Sequence, residues 1–248
     1  MKFTKMHGCG NDFIVVDGPL EVLPEAARRL CDRRHGIGAD GILTIGWPEG
    51  RRWRVTVHNA DGSMGESCGN GARCVARYLL DRHGGDQLEL KFAGGNVTAR
   101  RDAFGIAVTL AAPTPPAPLE IRLDGAVRRA YRVGVGNAHV VLFVADPSGV
   151  DLPAVAAEVR RVAGPANVEV ARVEGPGLIA LRVDERGVGE TLACGTGACA
   201  TVAAAASERQ MDDTVRVRVP GGELVVRAGP TAYELAGPAE YVFEGTLA

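Results

Sequence analysis

The chain has 248 residues, of which 46% are hydrophobic, and a formal net charge of −2 at pH 7. This length allows one large domain or two of ordinary size, and the nearly neutral charge gives no reason to expect a nucleic acid or an anionic membrane as partner. No apolar run reaches the roughly 20 residues of a membrane span, and residues 1–8 contain no signal-peptide core, so we expect a cytoplasmic protein.

Six cysteines and three lysines limit the possible chemistry. Without a secretory signal the thiols are expected to stay reduced. The spacings Cys68 to Cys74 and Cys194 to Cys199 do not match the tight knuckles of structural zinc sites, so we predict no metal. No lysine lies in a Gly-rich or polar cluster, which counts against pyridoxal phosphate, since that cofactor needs a Schiff-base lysine. We therefore expect no cofactor.

The first half of the chain is predicted to consist mostly of strands around one long helix. Pro24 begins a shorter helix that runs through Arg34, with Gly36 just past its end, and the Gly-rich residues 35–41 form a loop. The long helix runs from about Ala72 to His83. Alternating apolar residues between turn signals predict the strands, at residues 2–7, 12–17, 53–58, 87–92, 96–101 and 105–111.

The segment from Pro113 to Pro118 contains four prolines in six residues, which is typical of an extended linker. It predicts a boundary between a domain at residues 1–114, to which a tail at about 239–248 is expected to return, and a second domain at residues 115–238. The second half repeats the order of the first. Its predicted elements are helices at residues 153–163 and 198–209 and strands at residues 119–123, 127–134, 139–144, 167–173 and 178–184.

Two short stretches of the chain resemble each other, Cys68-Gly69-Asn70-Gly71-Ala72 and Cys194-Gly195-Thr196-Gly197-Ala198. Their cysteines are 126 positions apart, about half the chain, and Gly10-Asn11 and Gly136-Asn137 are separated by the same offset. Matches in the same order at one offset indicate an internal duplication, since a single period of half the chain does not fit a solenoid. The alternative is chance similarity between segments rich in Gly, Ala and Val.

A cysteine at the start of a helix is a plausible base or nucleophile, because the helix dipole and the unpaired N–H groups favour the thiolate. The same N–H groups can bind a carboxylate. Two matched thiols, one removing an α-proton and the other delivering a proton to the opposite face, would racemise a stereocentre without a cofactor. Covalent catalysis with His139 as the base is the alternative, although it calls for one cysteine rather than two.

Five stretches of the chain, in the same order and spanning nearly its whole length, resemble diaminopimelate epimerase. They are His7–Phe13, Asn59–Ser63, Cys68–Cys74, Gly136–His139 and Glu185–Gly197. The resemblance implies an α/β fold of two similar domains, each a curved, mostly antiparallel sheet around a central helix, with the active site in the cleft between them. It also implies a cofactor-independent, homodimeric isomerase that interconverts L,L- and meso-diaminopimelate for lysine and cell-wall synthesis.

The resemblance further implies roles for individual residues. Cys68 and Cys194 match the acid–base pair, and His139 and Glu185 match a pair near the reacting amino group. The remaining matches are donors to the reacting α-carboxylate (Gly69, Asn70, Gly195 and Thr196), contacts to the distal amino-acid group (Asn59, Asn167 and Arg186) and further polar contacts (Asn11 and Asn137).

Each of these polar residues also has a structural interpretation. Asparagine is common in Gly-rich turns for backbone reasons, Glu185 and Arg186 fit a solvated pair at a strand end, and His139 fits a hydrogen-bonded core histidine. The chain departs from many family members at Gly41, where they carry Gln, so one contact to the substrate is expected to be missing or replaced by water.

Two other functions remain open. A racemase or epimerase of another amino acid, of the proline-racemase kind, would keep the fold and both cysteines, but it would lack the run Cys68–Arg73 and would give Arg186 no distal carboxylate to bind. A non-catalytic amino-acid-binding protein would bind one stereoisomer without exchanging its α-proton, and binding alone does not call for two matched thiols.

Overall fold

The structure, a computed structural model, describes residues 1–50, 52–65, 69–123 and 125–247. It divides the chain into two compact units: unit 1 contains Met1–Val108 and Ala236–Ala248, and unit 2 contains Thr109–Leu235. The division falls inside a strand, six residues before the boundary predicted after residue 114. The predicted α/β class is confirmed in a form dominated by strands, with four α-helices in the described ranges.

The elements follow one another in similar order in the two halves of the chain. The first half contains β1 (Lys2–Gly8), β2 (Asn11–Asp17), α1 (Pro24–Cys31), β3 (Gly41–Glu49), β4 (Arg52–Asn59), β5 (Met64–Gly65), α2 (Gly69–His83), β6 (Gln87–Phe92), β7 (Gly95–Asp102) and β8 (Gly105–Ala111). The second half contains β9 (Ala117–Leu123), β10 (Ala126–Val135), β11 (Asn137–Phe143), a 3₁₀ helix (Pro147–Gly149), α3 (Leu152–Ala163), β12 (Asn167–Gly175), β13 (Leu178–Glu185), β14 (Gly189–Thr191), α4 (Gly195–Glu208), β15 (Thr214–Val219), β16 (Gly222–Ala228), β17 (Ala232–Gly237) and β18 (Glu240–Thr246).

The two units repeat one pattern of strand pairing. In unit 1, β1 pairs antiparallel with β2, β2 parallel with β3, β3 antiparallel with β4, β4 parallel with β6, and β6 antiparallel with β7. Unit 2 repeats these five pairings in the same order with β10, β11, β12, β13, β15 and β16. The register is also shared: Phe13 faces Gly41, and His139 faces Asn167, 126 positions further along the chain.

Each unit contains one helix that is buried on most of its surface. Ten of the fifteen residues of α2 and ten of the fourteen residues of α4 are buried. Each of these helices packs against strands of its own unit. Nearly all residues of α4 are apolar or small, as in a helix covered on every side, whereas α2 also contains charged residues such as Arg73 and Asp81. The many alanines and glycines of α4 let its neighbours approach closely. Both helices begin directly after a cysteine of the repeated motif.

A second helix packs beside the strands in each unit. Unit 1 packs α1 near β3 and β4 over a core that includes Ile14, Ala27 and Ile42. Unit 2 packs α3 near β9, β12 and β13 over a core that includes Val140 and Val159. Both helices carry a proline in the first turn, where a missing N–H costs nothing.

Three local predictions are corrected by the structure. Helix α1 ends at Cys31 rather than Arg34, because Oδ1 of Asp32 accepts the N–H groups of Arg34 and His35 and so closes a turn. Strand β3 was not predicted, since Gly46 and Pro48 interrupt its apolar run and resemble turn residues.

The predicted linker is the third correction. Strand β9 already begins at Ala117, and Thr114 is held to β10 by two hydrogen bonds: its N–H donates to Gly134 O at 2.8 Å, and its Oγ1 accepts from Gly134 N at 2.7 Å. Proline in an edge position is compatible with a strand. No helix among the described residues is long and apolar enough to cross a membrane.

Candidate functional site

Unit 2 places Cys194 at the N-terminus of α4. Cys194 is the N-cap residue, and its carbonyl oxygen accepts the N–H of Ala198 at 3.0 Å. Its side chain is buried, with Sγ 3.4 Å from Oγ1 of Thr196. Gly195 is the first helical residue. Because the first N–H groups of a helix have no partner within the helix, this end is suited to bind a carboxylate.

The surroundings of Cys194 hold its thiol in the protonated form. Burial raises the pKa of Cys194 well above its ordinary value, and the negative charges of Glu185 and Glu169 raise it further. Hydrogen bonds from Thr196 and from the N–H of Gly197 lower this pKa, but they do not outweigh burial. The helix end does favour the thiolate, through the N–H of Gly197, but burial and the two carboxylates outweigh it, so the thiol is the expected resting form of Cys194.

Glu185 ends β13 and lies next to this thiol. Its Oε1 accepts a hydrogen bond from Oγ1 of Thr191 at 2.6 Å. Burial raises the pKa of Glu185, while hydrogen bonds with Thr191 and Cys194 lower it. The charge of Glu169 raises this pKa as well, and that of His139 lowers it. Glu185, Cys194, Glu169 and His139 thus form one electrostatically linked cluster at the start of α4.

His139 is fully buried and bonded through both ring nitrogens. Its Nδ1 lies 2.6 Å from Oε1 of Glu169, whose side chain is also fully buried, and its Nε2 lies 2.8 Å from Oδ1 of Asn137. Asn137 itself is exposed. His139 therefore connects the interior of unit 2, through Asn137, to the surface.

Asn167 and Arg186 are linked through the backbone. Oδ1 of the buried Asn167 accepts the N–H of Arg186 at 2.9 Å, while the side chain of Arg186 is exposed. Asn167 thereby orients the turn after β13 that carries this guanidinium. A guanidinium held on a fixed turn can bind a carboxylate through two parallel hydrogen bonds.

In unit 1, a series of side-chain hydrogen bonds links two of the candidate asparagines to an aspartate. Gly69 begins α2, and Nδ2 of the buried Asn70 donates to Oδ1 of Asn11 at 3.2 Å. Nδ2 of Asn11 in turn donates to Oδ2 of Asp40 at 2.7 Å. This series of hydrogen bonds fixes the orientation of both asparagines.

A network of charged side chains holds Asp40, the last residue of this series of hydrogen bonds. Arg33 bridges Asp12 and Asp40, at 2.8 and 2.7 Å, and Lys5 lies 2.6 Å from Asp12. Burial raises the pKa of Asp12, but the hydrogen bonds and positive charges of Arg33 and Lys5 outweigh it and lower that pKa to about 2. Asp12 is therefore ionised at neutral pH, and the network stays intact.

Asn59 closes the turn after β4. Its N–H donates to Ser63 O and its Nδ2 donates to Ser63 Oγ, both at 2.9 Å. Gly41 faces Asn59 in the register of β3 and β4, and a Cβ added at Gly41 would lie 2.8 Å from His58 O. This close approach explains why no side chain is accommodated at Gly41 without a backbone shift. Cys68, the other predicted catalytic cysteine, lies outside the described residues.

Glu169 belongs to the cluster in unit 2 and was not predicted from the sequence. A signal for it exists, because a carboxylate within the apolar run Val168-Glu169-Val170-Ala171, two residues after Asn167, is unusual in a buried strand. Within the described part of the chain, no group of three or more His, Cys, Asp and Glu side chains is arranged to hold a metal ion.

The sequence matches a known family over most of its length. A sequence model described as diaminopimelate epimerase matches residues 3–109 and 131–241. The diaminopimelate epimerase of Desulforudis audaxviator is 40% identical, with 99% of this chain and 98% of the relative covered. That of Desulfitobacterium hafniense is 36% identical, with 100% and 98% covered.

Solved structures share the fold at low sequence identity. A phenazine biosynthesis protein of the PhzF family from Bacillus anthracis has a TM-score of 0.70 at 16% identity, with 100% of this chain and 99% of that chain covered. A hydroxyproline epimerase from Agrobacterium vitis, with bound trans-4-hydroxy-L-proline, has a TM-score of 0.69 at 16% identity, with 99% and 91% covered. By the sequence matches, which extend through both units, this chain belongs to the diaminopimelate epimerase family and is an isomerase.

Proposed function

We propose that this protein interconverts L,L- and meso-diaminopimelate without a cofactor, as a cytoplasmic homodimer that serves the synthesis of lysine and cell-wall peptide. The observation that carries the proposal is the cluster at the start of α4 in which the half-buried Glu185 lies with the buried residues Cys194, His139 and Glu169. It occurs in a chain that matches the family through both halves.

The two proton transfers of the reaction are assigned to two different thiols. One cysteine, as the thiolate, removes the α-proton from one face of the carbon, and the other, as the thiol, delivers its proton to the opposite face. Because the resting Cys194 is a thiol, it is the proton donor in the direction in which Cys68 is the base. After one turnover the two protonation states are exchanged, and protons must redistribute before the next cycle in the same direction.

The negative charge that develops on the substrate requires nearby donors. The α-carboxylate shares this charge, and the N–H groups at the starts of α2 and α4 are the donors that we assign to it, from Gly69 and Asn70 and from Gly195 and Thr196. Buried donors of fixed orientation stabilise such a charge without reorganising during the reaction.

The other polar residues recognise the remainder of the substrate. His139 and Glu185 face the reacting amino group in this proposal, whereas Arg186, oriented by Asn167, binds the distal carboxylate. Asn59 joins them at the distal group, and Asn11 and Asn137 supply further polar contacts. Gly41 contributes no side chain to this group of contacts, because His58 O lies 2.8 Å from where its Cβ would be.

The deciding experiment is α-proton exchange on L,L-diaminopimelate in deuterated, reducing buffer, followed by chiral analysis. We expect deuterium at the α-carbon together with appearance of the meso form. No exchange by the folded, reduced protein would refute the proposed substrate. Exchange on proline or hydroxyproline in the same assay would instead support a racemase of another amino acid.

A further inference from the structure

Glu169 and His139 form a contact between two ionisable side chains in the interior of unit 2. Both side chains have no solvent exposure, and they meet at 2.6 Å between Oε1 and Nδ1. Glu169 lies two residues after Asn167 on β12, and Asn167 faces His139 across the parallel pair β11 and β12. Two adjacent strands therefore bring a carboxylate and an imidazole together in the interior of unit 2.

The equivalent positions in unit 1 are apolar. Phe13 and Leu43 precede His139 and Glu169 by 126 positions, lie in the same strand register, and are buried at 3% and 0% exposure. An apolar pair thus satisfies the fold at this location. Burying an ionisable pair instead usually costs stability relative to a well-packed apolar one, so the pair in unit 2 calls for a reason other than packing.

Glu169 also bears directly on the segment that carries Cys194. A Cβ added at Gly197 would lie 2.7 Å from Oε1 of Glu169 and 3.3 Å from Cβ of Cys194. The carboxylate therefore lies against the first turn of α4, where the positive end of the helix dipole favours a negative charge. The glycine at position 197 is required for this approach.

Glu169 reaches the imidazole through one of its two oxygens. Oε1 lies 2.6 Å from Nδ1 of His139, whereas Oε2 is buried and has no hydrogen-bond partner among the described residues. The contact between the carboxylate and the ring therefore depends on Oε1 alone.

We propose that Glu169 is a positioning residue for the epimerisation: its Oε1 accepts a hydrogen bond from Nδ1–H of His139 and so fixes the ring in the orientation that places Nε2 2.8 Å from Oδ1 of Asn137, on the side assigned to the reacting amino group. The inference rests on the proposed function. Glu169 does not touch the substrate; it acts through His139. Its negative charge is also one of the causes that raise the pKa of Cys194, which supports a link between this pair and the thiol.

A double-mutant cycle tests the inference, because unit 1 supplies its control. The variants are Glu169→Leu, His139→Phe and the combination of both, which reproduces the pair Phe13 and Leu43 and is therefore expected to fold. Glu169→Leu alone should lower kcat about 100-fold through loss of orientation, with a smaller change in KM. In the His139→Phe background the same change should cost less than about threefold, because the residue through which Glu169 acts is already absent. Equal losses in the two backgrounds would overturn the inference.

A spectroscopic measurement decides the point without substrate. In protein labelled with ¹⁵N-histidine, NMR should find a proton on Nδ1 of His139 in the wild type, and loss of that preference in Glu169→Leu. Glu169→Gln keeps an acceptor oxygen and should retain the Nδ1 proton. An Nδ1 proton that persists in Glu169→Leu refutes the inference, whereas a wild type inactive on diaminopimelate refutes the proposed function instead.

Discussion

The two units share one pairing pattern and one register but differ in the charges they bury. Where unit 1 has Phe13, Leu43 and Asn59, unit 2 has His139, Glu169 and Glu185, each 126 positions further along. In the central helix it is unit 1 that buries the charged residue: Arg73 of α2 is fully buried, and its counterpart in α4 is Cys199. Unit 2 thus surrounds its cysteine with carboxylates, whereas unit 1 buries a cation in the helix that follows its own cysteine.

This difference shows that a duplication can keep the positions of residues while the charges at those positions diverge. Backbone pairing determines where a residue lies, and that is shared. The charges packed around Cys194 raise its pKa, and the positions of unit 1 equivalent to Glu169 and Glu185 carry the uncharged residues Leu43 and Asn59. Each variant below changes one of the two units.

The largest effect is expected from the cysteines themselves. Cys68→Ala and Cys194→Ala should each lower net epimerisation about 1000-fold, because in the proposed mechanism each removes the acid or base on one face of the substrate carbon. Chiral chromatography of the products measures this. Cys74→Ala and Cys199→Ala, which remove buried thiols from α2 and α4, are the matched controls and should stay within about threefold of wild type. An active Cys68→Ala variant would mean that unit 2 catalyses the reaction without its counterpart.

The buried arginine of unit 1 should dominate stability. Nε of Arg73 donates to Pro238 O at 3.2 Å, and its guanidinium lies against Gly8. Arg73→Ala should lower the free energy of unfolding by about 3 kcal/mol, because it leaves a cavity and removes the donor of a partly buried carbonyl. Cys199→Ala, at the equivalent position of unit 2, should cost about 1 kcal/mol or less. Urea titrations compare the two, and equal losses would contradict the assigned role of Arg73.

Low pH should lower the stability of unit 1, because Asp12 becomes protonated. The residue at the equivalent position of unit 2 is Ala138, which does not titrate. The pKa of Asp12 is lowered from 3.8 to about 2 in the folded chain. The resulting stability is present above about pH 4 and is lost as the pH falls toward about 2, and it amounts to about 2 kcal/mol.

Asp12→Asn should remove this contribution at pH 7 and flatten the dependence of unfolding free energy on pH between about 4 and 2. Urea unfolding at a series of pH values measures both. A variant that keeps the wild-type slope in this range would show that other carboxylates, and not Asp12, cause the acid sensitivity.

The smallest effect concerns the thiol of unit 2. Glu185→Gln removes a negative charge that raises the pKa of Cys194, so the pH midpoint of its alkylation by iodoacetamide should fall. Thr196→Val removes a hydrogen bond that lowers this pKa, so the midpoint should rise. Peptide mass spectrometry follows the alkylation of Cys194. Shifts of the same sign in both variants would contradict the electrostatic account of this thiol.

Local sequence patterns determined much of the fold. Alternating apolar residues located most strands, and the small residues after each cysteine located the starts of α2 and α4 to within three residues: the helices were predicted from Ala72 and Ala198 and begin at Gly69 and Gly195. The constant offset of 126 revealed the duplication. These features are visible because the side-chain period of a strand or helix and the special conformations of Gly and Pro depend on neighbouring residues only.

Two features of the candidate site, a buried contact and a raised pKa, were determined only by the tertiary structure, because they involve residues far apart in the sequence. Glu169 and His139 are 30 positions apart, and their contact follows from the register of β11 and β12, which local patterns do not specify. The raised pKa of Cys194 reverses the expectation from its helix end, because burial and two carboxylates from other strands outweigh the helix N-terminus. The sequence determined which groups are present in each element. Only the tertiary structure determined which charges surround the thiol of Cys194, because electrostatic interactions depend on distance and burial rather than on order along the chain.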